Sequence, residues 1–79
     1  MIRVLFFGPV AERVAARQTE IDFQTGLCLQ DAVTQLTARY PQALELISFI
    51  AVNNVQTRDM KLALKDNDEI AFMAKFSGG

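Results

Sequence analysis

The chain has 79 residues, 51% of them apolar and 22% charged, with eight Lys and Arg against nine Asp and Glu for a net charge of −1. That is one small domain with enough apolar material for a core without staples. Its basic residues are scattered singly, which leaves no track for nucleic acid or an anionic membrane. There is no histidine, which excludes His-ligated metal sites and His general-base chemistry. The single cysteine, Cys28, excludes an intramolecular disulfide and fits a reducing compartment.

Residues 2–7 are β-branched and aromatic and stop at Gly8-Pro9, so a strand is expected, apolar on both faces and therefore central and covered on two sides. Pro9 suits the first turn of a helix. Val10, Ala11, Val14 and Ala15 recur at helical spacing, with Glu12, Arg13 and Arg17 facing outward, and predict a short helix over 9–17. Residues 19–23 alternate polar and apolar, as a half-buried strand does.

Leu29, Val33, Leu36 and Tyr40, joined by Ala32, form one helical stripe, which Pro41 ends because proline disfavours helical geometry in the residue before it. Residues 43–47 offer one more helical turn. A strand over 49–53 leaves through Asn53-Asn54, and residues 60–64 make a weaker strand. Asp66-Asn67-Asp68 reads as a turn with Asn67 at positive φ, and residues 69–74 are the last strand. Strands early and late around one long helix predict an α+β roll, a mixed sheet packed on that helix.

The sequence then closes on Phe76-Ser77-Gly78-Gly79. Glycine has no Cβ, so two in succession extend into a passage too narrow for any other residue. The group such an arm presents is the α-carboxylate of Gly79. The expected division is a folded domain over 1–75 and a flexible tail over 76–79.

Met1-Ile-Arg-Val-Leu-Phe-Phe7 opening into a helix with Glu12, then Ala51-Val-Asn53, then Asp66-Asn-Asp-Glu-Ile-Ala-Phe72, then Gly78-Gly79, resembles the small, sulfur-carrier subunit of molybdopterin synthase, the MoaD family. The resemblance spans essentially the whole chain. It implies a β-grasp, ubiquitin-like fold of the MoaD and ThiS kind and a non-catalytic sulfur-donor subunit of a sulfurtransferase complex. It implies that a partner adenylating enzyme, resembling ubiquitin-activating enzymes, uses ATP on the terminal carboxylate. A persulfide donor then leaves a thiocarboxylate on Gly79. The large synthase subunit takes up the tail, and the sulfur goes to a pterin precursor in molybdenum cofactor biosynthesis. No cofactor, metal, nucleic acid or membrane is expected on the chain itself.

Gly79 is thus the expected reacting residue, with Gly78 and Ser77 as the inserting tail. Phe76, Phe7 and Lys75 are the expected partner contacts, since an aromatic on a tail of so small a domain suits a partner groove. Phe72 reads as core. Cys28 reads as a small residue at the start of the long helix, not as the sulfur-handling group. Asp66, Asp68 and Glu69 read as turn chemistry.

Three positions depart from the family pattern. Ala74-Lys75 stands where many members carry Pro-Pro, and Asn67 where glycine is common. In the first helix the order is Ala11-Glu12-Arg13, where members often place an arginine just before the glutamate. The lack of a signal peptide's basic and apolar start, and of any run of about 20 apolar residues, makes the cytoplasm the expected location. A thiamine-pathway sulfur carrier and a ubiquitin-like protein modifier are the alternatives within the same fold, and a plain binding module with an inert tail is a third.

Overall fold

Alternation in the opening strand sets the frame. In β1 (Ile2–Phe6) the side chains of Ile2, Val4 and Phe6 are buried, whereas Arg3 is exposed and Leu5 half-buried. The computed structural model describes residues 1–74, so residues 75–79, with the tail and the expected boundary at 75/76, lie outside the described residues. The remaining elements are α1 (Pro9–Val14), β2 (Gln18–Ile21), α2 (Leu29–Arg39), α3 (Pro41–Leu44), β3 (Ile47–Val52), β4 (Val55–Thr57) and β5 (Glu69–Ala74).

The strands form one sheet in the order β2-β1-β5-β3-β4. β1 runs parallel to β5 and antiparallel to β2, while β3 is antiparallel to both β5 and β4. Leu29, Ala32 and Leu36 of α2 are fully buried in a core shared with Ile2, Val4, Phe6, Ile70 and Phe72. At ~25 cal/mol per Å² of apolar surface, each of those two leucines contributes about 2 kcal/mol, an upper estimate. The mixed sheet wrapped on one long helix is the α+β roll that the element order implied and the β-grasp fold that the resemblance implied.

The structure corrects three local expectations. β1 is central but not covered on both sides, because Arg3 and Phe7 face solvent on the side away from the helices. The first helix stops at Val14 and does not reach Arg17. Ala15 turns left-handed (φ 63°), and Arg17, just before β2, accepts a hydrogen bond from the Phe6 N–H at 2.9 Å.

Residues 60–64 form no strand. Their backbone serves α2 instead: the Leu29 and Gln30 N–H groups, which have no partner inside a helix's first turn, donate to Leu62 and Met60 carbonyls at 2.9 and 2.8 Å. A single bridge, Cys28 to Ala63, is all the pairing left. The fourth strand is Val55–Thr57, reached through Asn53 and Asn54, both at positive φ (51° and 69°), the geometry of a two-residue hairpin turn. Asn67 adopts positive φ (73°) as expected.

Candidate functional site

The last strand decides which side chains surround the root of the C-terminal arm. Along β5, Ile70, Phe72 and Ala74 point into the core, so Glu69, Ala71 and Met73 stand on the opposite face of the sheet. The parallel register with β1 sets Leu5 beside Ala71 and Phe6 beside Phe72, and the Phe7 N–H donates to the Phe72 carbonyl at 3.2 Å. From the other side, β3 sets Phe49 against Met73 and Ala51 against Ala71.

The outer face at the C-terminal end of β5 is therefore apolar: Leu5, Phe7, Ala51, Ala71, Met73 and Phe49. Phe7 is 46% exposed and Phe49 36%. Two large, partly exposed aromatics on one sheet face make it a candidate interaction surface. Shallow grooves flank it. One, of about 370 Å³, runs past Leu5, Phe7, Gly8 and Arg17, and the other, of about 310 Å³, past Phe49, Ile50, Gln56 and Met60. Gly8, between Phe7 and α1, has φ 57° and ψ −134°, a conformation that favours glycine, and this turn leaves Phe7 on the surface.

The titratable groups lie elsewhere. Asp66 precedes β5, at the end away from the arm, and its carboxyl is held below the ordinary range chiefly by its hydrogen bond from the Met1 ammonium. Asp68 accepts from the Asn53 side chain at 2.9 Å and the Lys65 N–H at 2.8 Å, and Glu69 faces Arg3 at 3.4 Å. Each member of the acidic cluster thus has a partner within the fold, which is the turn chemistry expected. No group of metal-ligating side chains is present among the described residues.

Cys28 caps α2. Its N–H and its thiol both donate to the Asp31 carboxylate, at 3.0 and 3.2 Å, and the backbone bond is the main reason the Asp31 carboxyl sits below its usual range. The thiol sits at a helix start, on an element separate from β5.

Among the sequence-derived site residues, Phe7 lies on the surface and Phe72 is fully buried. Lys75, Phe76, Ser77, Gly78 and Gly79 lie outside the described residues. Sequence reading did not single out Phe49, Met73 or Leu5 for this face. Every residue of β5 except Glu69 is apolar, so its own pattern does not say which side meets water; only pairing with β1 and β3 does.

This sheet, with its apolar outer face beside the end of the last strand, defines a small ubiquitin-like β-grasp protein. The ThiS family model matches residues 4–79, and the chain belongs to that family. It is 36% identical to the molybdopterin synthase sulfur carrier subunit of Escherichia coli K12 over 81 aligned positions, covering 100% of both chains. Its fold superimposes on SAMP1 from Haloferax volcanii with a TM-score of 0.85 at 21% identity, covering 99% of this chain and 98% of the other. It also superimposes on one chain of a complex of subunits 1 and 2 of molybdopterin-converting factor from Helicobacter pylori, with a TM-score of 0.72 at 23% identity, covering 99% of this chain and 97% of the other.

Proposed function

We propose that this chain is the sulfur-carrier subunit of a molybdopterin synthase, acting through a thiocarboxylate on Gly79. The observation that carries the reading is the full-length match, at 36% identity, to a molybdopterin synthase sulfur carrier subunit. The exposed apolar face around Phe7 supports it, because a carrier must dock on a partner before its arm can be used. That match also favours the molybdenum pathway over the thiamine pathway and over protein modification.

The chemistry suits a chain with little catalytic equipment. A carboxylate is a poor electrophile, since its charge repels nucleophiles and its oxygen leaves badly. In the proposed sequence the Gly79 carboxylate attacks the α-phosphorus of ATP on an adenylating enzyme and pyrophosphate leaves. The terminal sulfur of a persulfide then attacks the acyl carbon and AMP leaves. A thiol reduces the resulting acyl disulfide to the thiocarboxylate, a soft nucleophile at neutral pH. The large subunit takes up the arm, and the sulfur passes to the pterin precursor. Gly78 and Gly79 supply reach without bulk, and Phe76 and Lys75 are the proposed contacts beside them. The proposed partners fit a cytoplasmic location for the chain.

Intact-mass analysis of protein isolated from its host tests this. A fraction in which one oxygen is replaced by sulfur is expected, and it should be absent when Gly79 is deleted. Finding only unmodified chain after incubation with the adenylating enzyme, ATP and a persulfide donor would overturn the reading.

A further inference from the structure

Register lays the outer face of the sheet out in rows. Leu5, Ala71 and Ala51 lie side by side across β1, β5 and β3. Two residues nearer the C-terminal end of β5, the next row is Phe7, Met73 and Phe49. Phe49 pairs directly with Met73, and the bond from the Phe7 N–H to the Phe72 carbonyl carries Phe7 alongside Met73 on the other side. Opposed side chains on one sheet face stand about 5 Å apart, so the Met73 thioether has an aromatic neighbour on each side. Sulfur suits that place, because it is attracted to aromatic rings and its soft, apolar surface continues theirs.

Met73 differs from the other methionines in what it supports. Met60 packs against the buried core, and Met1 lies at the opposite end of β1 from Phe7, beside Asp66. Met73 is half-buried and, among the described residues, is neither in the core nor packed against it. The same holds for Phe7 and Phe49. This row therefore shapes the surface and adds little to the core. Oxidation of a methionine to the sulfoxide turns an apolar side chain into a polar one. A polar group buried in a contact without a hydrogen-bond partner opposes that contact.

We propose that Met73 is a reversible oxidation site that switches off docking of the outer face while leaving the fold intact. The inference rests on the sulfur-carrier reading, in which that face meets the large subunit. The oxidant is a peroxide: the Met73 sulfur attacks one peroxide oxygen, the O–O bond breaks, and after proton transfer water leaves. Sulfur gives up an electron pair and the peroxide takes it. A thiol-dependent sulfoxide reductase reverses the step, a pair of thiols becoming a disulfide while the oxygen leaves as water. Persulfides are also consumed by peroxide, so the switch idles the carrier when its sulfur supply fails.

The test uses the full chain in its carboxylate form, so that no thiocarboxylate competes for the oxidant, together with its own large subunit. Limited treatment of the carrier with hydrogen peroxide is stopped with catalase before mixing. Peptide mapping should find the sulfoxide at Met73 with the thermal midpoint unchanged, and affinity for the large subunit should fall roughly tenfold. Sulfoxide reductase should restore it. Met73→Leu, whatever its own affinity, should lose none of it on the same treatment, whereas Met60→Leu and Cys28→Ser should stay sensitive. Met73→Ile serves if the leucine variant fails to fold.

An equal loss on peroxide in the Met73→Leu or Met73→Ile chain would sink the proposal. So would a Met73 sulfoxide that binds as tightly as the thioether, or a Met73 that resists peroxide until the chain unfolds. A midpoint that falls together with the affinity makes the oxidation a lesion and overturns the switch. An untreated wild-type chain that ignores the large subunit overturns the sulfur-carrier reading itself, and is distinguished by appearing before any peroxide is added.

Discussion

Asp66 ties the N-terminus to the turn that precedes β5. Its carboxyl is held low by the Met1 ammonium, and the Asn67 N–H donates to the Met1 carbonyl at 3.1 Å in the same place. A depressed folded-state pKa adds stability that is complete above the ordinary carboxylate value and is lost as pH falls through the folded value. Urea midpoints of the wild type should therefore fall below about pH 4, and Asp66→Asn should flatten part of that fall while lowering the midpoint at neutral pH. Asp31, held low by Cys28, adds to the same window and accounts for part of what remains. Cys28→Ser keeps a donor at the helix start and should leave both the midpoint and sulfur loading close to wild type. Loss of loading by a folded Cys28→Ser protein would give the thiol a role in transfer.

At the scale of elements, two aromatics in adjoining strands have opposite tasks. Phe72 is fully buried in β5 and stacks on Phe6, so Phe72→Ala should cost about 3–5 kcal/mol through the cavity it leaves. Phe7 follows β1 on the outer face and is nearly half exposed. Phe7→Ala should shift the denaturation midpoint little, yet weaken large-subunit binding by about tenfold or more if the aromatic is a docking anchor. Denaturation and binding measured on both variants separate the two roles. Similar stability loss with unchanged binding for Phe7→Ala would make it an ordinary packing residue.

Over the whole molecule, on the proposed function, the described core and the reacting group are different residues. The described core closes at Ala74, and the last residue of a chain contributes little burial. Deleting Gly79 should thus leave the thermal midpoint unchanged while abolishing sulfur loading. Adding one residue after Gly79 should be as damaging to loading, since the reactive carbon is displaced from its place in the partner's site. A deletion that also lowers the midpoint would show that the arm is part of the fold.

Local chemistry made much of this legible in advance. The stripe Leu29, Ala32, Leu36 and the stop at Pro41 mark α2 because helix periodicity is written in adjacent residues. Asn67 marks its turn because few residues tolerate positive φ. The sequence also carried the proposed class of chemistry: its resemblance to the sulfur-carrier family, together with the terminal glycines, implies a chain whose reacting group is its own carboxylate. Tertiary structure decided the rest, because each remaining question depends on partners distant in the chain. Residues 60–64 lost their strand to the backbone of α2, and Val55–Thr57 gained one from β3. Phe7 and Phe49 became one surface only when β5 came between their strands. An apolar run does not carry the label of the face it will bury; pairing in the sheet supplies it.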